Sequence, residues 1–550
     1  MAGFFGLKGS GRVPKPSDEV GLLNDYFSCP EIYVERHLGI KFCHDKVFCN
    51  NEDYFVAIDG IILNSKSLLE KYHTEHLFEA IVSLYQTFGE KFIVELNGNF
   101  CGVFSDLKND IHLIFNNIAG SKNVFYSLLE GQIIFGSDIN YLINYYHQSG
   151  MDYTLNEQAV KSMLRHPYLD GDMTFFEEIK RLHHGYFIII KNNIPEVIQY
   201  YDYIRKPIEG RSEEEILREF DELIKRAAKA AFEKDNEYGY KHIVCLSAGL
   251  DCKMVNHLGH ALGYSDDITN VTYSQSDFWD EIVPQQIARD LGHKYIFQSL
   301  DHGLFHLDID GNVKDNAGCY YYSGIAQAKE AFHLINMDLF GLIHTGLFSD
   351  ITRGRFAATK DVNYYYYLVG SNSENTQFVG LSKITEIYSP FFDKELLEFS
   401  MSIPWDLRKD SKLYNQWIIN MYPQVASYVW DRTHAPLNEK MVVMPWNKRM
   451  LIPKSRVFKY LKNLAYRKMT GRGVASIGNS MNPLDYWYET SERYRKNCDR
   501  YFDENIDRLF AYPELRDEAE SVYQNASNTN RMSQRAQVLT ILGVFKNYFD

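Results

Sequence analysis

The amino-acid sequence predicts a mixed fold in two domains: an α+β half of sheets covered by helices, then an α/β half built on a parallel sheet. Three observations predict it. Up to about Asp202, short β segments alternate with turn residues and helical stretches. Tyr203 to Arg211 (YIRKPIEGR) is a polar stretch with proline and glycine, composed like a linker. Beyond it the rhythm changes to strand–loop–helix, the alternation of a doubly wound sheet. Domains are therefore expected at 1–205 and 212–550. A single hydrophobic core is not expected in 550 residues.

In the first half, strands are expected at Tyr54–Ile58, Phe92–Leu96, Cys101–Phe104, Ile111–Phe115, Gln132–Phe135 and Tyr186–Lys191, with a helix near His73–Phe88. Ser212 followed by Glu215 predicts a capping box opening an amphipathic helix to about Lys234. Further strands are expected at His242–Leu246, Ile268–Tyr273, Lys294–Phe297 and Asp338–His344. The last third reads as mostly helical.

Composition excludes several classes. With 45% hydrophobic and 15% aromatic residues, the chain can bury large cores and is not of the disordered class. A formal charge of −14 gives no general attraction for nucleic acid or anionic membrane. The start, MAGFFGLKGSGRV, lacks a secretory pattern. No apolar run approaches the ~18–20 residues of a membrane span. Eight scattered cysteines without a CxxC pair indicate neither a disulfide framework nor a zinc site. A cytoplasmic protein is expected. From Glu439 to Ser480, ten Lys/Arg face one acid, and Phe458, Tyr460, Leu461 and Leu464 give this stretch an amphipathic helical pattern. It reads either as a site for an anionic substrate or, more blandly, as a solvated helix packed on the acidic body.

The sharpest local signal is Ile243-Val244-Cys245-Leu246 followed by Ser247-Ala248-Gly249-Leu250-Asp251. A strand ending in small residues turns tightly, and the next helix start aims N–H groups and a positive dipole end outward, which favours an anion. An acid there suits a metal that bridges phosphate oxygens rather than direct phosphate contact. A second apolar run, Leu339 to His344, leads into Thr345-Gly346-Leu347-Phe348-Ser349-Asp350. Loops after parallel strands gather at the carboxyl edge of a sheet, so the two acids are expected to converge. The blander reading of each acid is a helix cap.

These motifs together resemble class B asparagine synthetase and its relative β-lactam synthetase, over about residues 1–435. The family's SGGLDS loop is matched by Ser247 through Cys252. Its G-x-G-S-D motif is matched by Gly346 through Asp350, with Phe348 in place of the second glycine, and Glu386 through Asp393 (EIYSPFFD) resembles its E-x-R-x-P-F-L-D segment. The resemblance implies an N-terminal Ntn-hydrolase-like αββα sandwich of the class II glutamine amidotransferase type. It also implies a C-terminal α/β ATP-pyrophosphatase (PP-loop) domain with a parallel sheet and extra helices. ATP and Mg²⁺ are the implied cofactors. The implied reaction is amide-bond formation on a small-molecule or peptide carboxylate, through an acyl-adenylate, with release of AMP and pyrophosphate. By the same match Ser247, Ala248, Gly249, Leu250, Asp251, Cys252, Gly346 and Ser349 would hold ATP and pyrophosphate, and Leu246 and Val271 would line adenine through backbone atoms. Asp251 and Asp350 would hold the metal, and Glu386 would be a general base. The family's lysine falls near Gln416, with Lys412 one helical turn earlier as the substitute. Lys253 is read as an exposed helix lysine. Leu347, where the family has Glu or Tyr, is the main departure.

Glutamine-using members begin Met-Cys-Gly, whereas this chain begins Met1-Ala2-Gly3, and a methyl group cannot attack a carbonyl. The N-G-E substrate loop reads Asp59-Gly60-Ile61, the acid of L-D-G-x-F is Asn97, and the R-D-x-x-G turn is Asn116-Asn117-Ile118-Ala119-Gly120. The resemblance therefore implies a glutaminase half without activity, and nitrogen from ammonia or an amine. Intramolecular ring closure and a non-catalytic ATP-binding scaffold are the alternatives. No nucleic-acid partner is expected, and a homodimer stays open.

Overall fold

A computed structural model describes residues 3–9, 22–30, 32–354, 370, 372–373, 375–376, 379–444, 447–470, 475–529 and 531–550. Ala2, where the resemblance expects a nucleophile, lies outside them.

The N-terminal strands are β1 (Gly3–Gly9), β2 (Leu22–Ser28), β3 (Ile32–Gly39), β4 (Phe48–Asn50), β5 (Tyr54–Ile62), β6 (Gly98–Asp106), β7 (Ile111–Asn116), β8 (Phe125–Leu129), β9 (Gln132–Gly136), β10 (Lys180–Arg181), β11 (Tyr186–Lys191) and β12 (Ile194–Gln199). They form two sheets, ordered β10-β8-β9-β1-β3-β2 and β12-β11-β7-β6-β5-β4, antiparallel throughout. Runs such as Phe55-Val56-Ala57-Ile58 are apolar on successive residues because both faces of each sheet are covered. Phe4, Val34, Phe55, Val103, Ile114 and Phe135 fill the space between the sheets. Outside the first sheet, Phe5, Leu7 and Ile134 meet helices α3 (Ile139–Ser149) and α4 (Glu157–Arg165). Outside the second, Val56, Ile58 and Phe104 meet α1 (Ser65–Tyr72) and α2 (Leu77–Phe88). The layers are αββα, the sandwich expected.

One expected strand is not one. Phe92–Leu96 falls within a 3-10 helix, Gly89–Glu95, followed by Leu96 in an extended conformation. Phe92 and Ile93 are adjacent and both buried. Phe92 instead packs on Phe104 and Phe115, with ring centroids 5.2 and 5.7 Å away.

Helix α5 (Glu213–Glu237) opens with the capping box of Ser212 and Glu215. After it come β13 (Lys241–Cys245), α6 (Leu250–Ala261), β14 (Ile268–Ser274), α7 (Trp279–Leu291), β15 (Lys294–Ser299), β16 (Phe340–His344) and β17 (Ile387–Tyr388). These strands make one parallel sheet, ordered β15-β14-β13-β16-β17. The order runs outward one way from β13 through β14 and the other way through β16, so the topological switch lies between β13 and β16. Asp235, near the end of α5, fastens that helix beneath the same two strands. Its Oδ2 accepts from His242 Nδ1 at 2.9 Å and His344 Nε2 at 2.7 Å, and its Oδ1 accepts the Leu342 N–H at 2.8 Å. No helix among the described residues is long and apolar enough to cross a membrane.

Candidate functional site

In an open parallel sheet, the crevice at a topological switch is where loops diverge and a ligand fits. Two loops flank it here: 247–249, between β13 and α6, and 345–348, between β16 and the one-turn helix Ser349–Thr352. They touch. A Cβ on Gly346 would lie 2.7 Å from Asp251 Cβ and 2.8 Å from both Asp251 C and Cys252 N, so only glycine permits this approach. The contact brings Asp350 and Asp251 into reach of one side chain. The Arg353 guanidinium pairs with Asp251 at 3.1 Å and also with Asp350.

Arg353 is buried, and its Nε–H has no partner. Burial alone would lower its pKa, but the Asp251 and Asp350 carboxylates outweigh that and raise it. Burial pushes the Asp251 carboxyl up, opposed by Arg353 and reinforced by Asp350. The Arg353 guanidinium also sits 5.8 Å over the Tyr414 ring, from helix Lys412–Met421. The expectation from sequence missed Arg353. Its i,i+3 spacing from Asp350 was a signal, but its reach to Asp251 is purely tertiary.

Leu246 and Val271 are buried, and the Leu246 N–H donates to the Val271 carbonyl at 3.0 Å. Within the loop, the Gly249 N–H donates to Ser247 Oγ at 3.2 Å and the Ala248 N–H to Asp280 Oδ1 at 2.5 Å. Burial, with Asp431 nearby, pushes the Asp280 carboxyl up to about 7. Leu250 is the first residue of α6 and is fully buried. Burial pushes the Cys252 thiol up to about 11. Lys253, read from sequence as exposed, is 0% exposed; its Nζ donates to the Val429 carbonyl at 2.7 Å, and burial lowers it to about 8. The helical period of α6 turns this position inward, which the sequence pattern did not separate from the solvent face.

In the second loop Ser349 is buried and its carbonyl accepts the Arg353 N–H at 2.8 Å. Phe348 adopts φ 67°, the left-handed conformation that a glycine would take freely. Its ring is fully buried and meets Phe392 at 5.5 Å. Leu347 is half-buried and faces a cavity of about 70 Å³ between the N-terminal sandwich and the parallel sheet, lined also by Asp59, Asn99, Lys122 and Lys383.

The structure does not join Lys412 to this group. It is 48% exposed and pairs with Glu213 at 3.6 Å. Glu386 is buried and engaged from the other half of the molecule, with Lys46 Nζ at 3.2 Å and Lys122 Nζ at 2.9 Å; Lys122 also meets Asp59 at 2.7 Å. Burial alone would raise the Glu386 carboxyl, but Lys122 and Lys46 hold it below its ordinary range. Other positions from the amidotransferase-like motifs also tie the halves together. Asn97 Nδ2 donates to Asp393 at 2.9 Å, and Asn99 Nδ2 to the Ile387 carbonyl at 2.7 Å.

Fold and site together define a class: an αββα sandwich joined to a parallel sheet whose switch-point loops carry paired acids. The glutamine amidotransferase domain family matches residues 43–201. The chain is similar to asparagine synthetase [glutamine-hydrolyzing] 2 of Bacillus subtilis, 26% identical over 277 residues, which are 45% of this chain and 35% of that one. It is also similar to amidase chyE of Penicillium rubens, 24% identical over 181 residues, 32% of this chain and 25% of that one. The matches thus span about a third or less of these relatives' own lengths. Among solved structures, NMN synthetase from Francisella tularensis aligns with TM-score 0.21 and 11% identity over 52% of this chain and 97% of that chain. The sequence similarities support an asparagine synthetase-like chain with an N-terminal glutamine amidotransferase domain.

Proposed function

We propose that this chain is an ATP-dependent amide ligase. It joins a carboxylate to ammonia or an amine through an acyl-adenylate, releasing AMP and pyrophosphate. The observation that carries the proposal is the convergence of the 247–251 and 345–350 loops at the β13/β16 switch point, on a chain similar to an asparagine synthetase. Residues 212–550 would be the ligase domain, and 1–205 a glutaminase-like domain without activity.

The Asp251 and Asp350 carboxylates are the donor type that Mg²⁺ takes. Arg353, however, stands between them and already neutralises both. In this state the pair does not fit a divalent cation, and no step is assigned to one. The chain's own groups supply the rest. The N-terminus of α6 turns its positive dipole end and first-turn N–H groups toward an oxyanion. Arg353 Nε–H is a further donor, and Asp280, neutral in part near pH 7, repels phosphate less than a full carboxylate would. Glu386, with both oxygens facing lysines, acts in this proposal as a positioning residue that holds β17 against the sandwich.

Pyrophosphate release from ATP, across a panel of carboxylic acids with ammonium or amines, tests the proposal. Release should require the acid and fall at least tenfold in Asp251→Ala; acid-independent or mutation-insensitive release sinks it. The occupied acid pair favours a second reading, a non-catalytic ATP-binding scaffold. ATP binding without turnover on any acid would select it.

A further inference from the structure

Helix Val457–Thr470 has no buried residue. Helices of a folded chain ordinarily hide their apolar stripe. Here Phe458 and Met469 are 81% and 85% exposed, and Leu461 and Tyr466 are also open to solvent. Phe458, Leu461, Ala465 and Met469 are spaced three, four and four residues apart, so they fall on one stripe. Val457, Tyr460 and Leu464 are half-buried and mark the side turned toward the body. The stripe therefore points away from the protein. The bland expectation of a helix packed on the acidic body does not describe this face.

Charge completes the pattern. Lys468 and Lys462 flank the stripe at helical spacing, and Lys459 and Arg467 lie beyond them. Among the described residues none of these four forms an ion pair. Asn447 to Thr470 carries eight Lys/Arg and no Asp or Glu, in a chain whose net charge is −14. A helix that serves only solubility has no need of Phe and Met at its most exposed positions. One that lies in a lipid headgroup layer needs both features: an apolar stripe to enter the acyl boundary and cations at its margin.

We propose that the 447–470 segment is a membrane-surface docking element, and that its partner is a bilayer face rich in anionic phospholipid. The occupant follows from charge and shape. A zwitterionic surface offers the flanking cations nothing, whereas an anionic surface repels the rest of this acidic chain. Only the basic segment can then approach, which fixes the orientation of docking. The contact is peripheral and does not depend on the nucleotide reading.

Full-length protein sedimented with phosphatidylcholine vesicles, with and without phosphatidylglycerol, tests the proposal. Protein should pellet with the anionic vesicles, lose binding as salt rises, and bind pure phosphatidylcholine at least tenfold more weakly. Phe458→Ser with Met469→Ser should weaken anionic binding about tenfold, a loss of about 1.4 kcal/mol. Lys462→Glu with Lys468→Glu should do at least as much. All four positions are on the surface, so thermal melts should stay unchanged. Wild-type protein that stays in the supernatant, or variants that bind equally, overturn the proposal. So does a concentration-dependent dimer that the Phe458/Met469 variant abolishes without any lipid binding, because the stripe would then be a self-association surface.

Discussion

The Arg353 guanidinium lies 3.1 Å from the Asp251 carboxylate while also pairing with Asp350, three residues earlier in its own chain segment. One cation thus joins two loops that are far apart in sequence. Two carboxylates drawn together at a buried point repel each other strongly unless something positive lies between them. Here the chain supplies it.

Removing that cation should create a vacancy for another. Arg353→Met is expected to bind Mn²⁺ at least tenfold more tightly than wild type, by about 1.4 kcal/mol or more, read by the loss of free Mn²⁺ in electron paramagnetic resonance. Adding Asp251→Asn should abolish the gain. Equal affinity in wild type and Arg353→Met would mean that Arg353 does not compete for the acids.

The loop amide that points at Asp280 gives a pH signature. Burial, with Asp431 nearby, holds this carboxyl near 7, so it ionises as pH rises from 6 to 8 and the loop becomes more repulsive to an anion. Pyrophosphate should bind Asp280→Asn more tightly than wild type at pH 8, with the difference shrinking toward pH 6. Calorimetry at both pH values checks it; a difference independent of pH would remove Asp280 from the site's electrostatics.

Gly346 sets the distance between the loops. A methyl group there meets backbone atoms of α6 at 2.8 Å, which cannot rotate away. Gly346→Ala should cost about 1–3 kcal/mol of stability, the usual range for overpacking, and should lower nucleotide affinity as well. Urea melts with wild-type stability would show that the loops separate without strain.

Lys122 answers two buried acids from different halves, Asp59 and Glu386. Lys122→Met strands Asp59 and leaves Glu386 with Lys46 alone, and breaking a buried pair in this way costs about 3–5 kcal/mol. Asp59→Asn added to it should recover part of the loss, because the orphaned charge disappears. If Lys122→Met melts within about 1 kcal/mol of wild type, the network does not hold the halves together.

His306 is fully buried among Phe305, Tyr322, Trp487 and Tyr494, with neither ring nitrogen bonded. Burial lowers its pKa to about 3. The unfolded chain therefore binds this proton first as pH falls below about 6.5. Stability is full above that value and falls by about 1.4 kcal/mol per pH unit toward pH 3. His306→Phe should remove this slope from the acid limb of the stability curve. An unchanged limb would show that His306 titrates normally.

Much of the architecture was legible because it is local. The capping box of Ser212 and Glu215, the apolar runs of β13 and β16 and the small residues after β13 each follow from a few neighbouring side chains. The Phe92–Leu96 misassignment marks the limit: a short stretch with four apolar residues in five fits a strand or a tight turn equally well, and only packing on Phe104 and Phe115 decides. The motif positions Asp251 and Asp350 were legible in the same way. Lys412, taken as the lysine one helical turn before the register position Gln416, pairs with Glu213, because an offset of one turn does not fix how far a helix start lies from the loop.

By itself, then, the sequence determined the parallel strands beside the switch point, their loops and which acids stand at their ends, because backbone propensity, apolar period and small-residue turns act over short spans. The tertiary structure alone decided what those acids face. It set Arg353 between Asp251 and Asp350, committed Glu386 to two lysines of the other half and left the Phe458 stripe in solvent. The physical reason is that charge pairing and burial depend on three-dimensional distance, and residues a hundred positions apart meet only once the sheet has set its strand order.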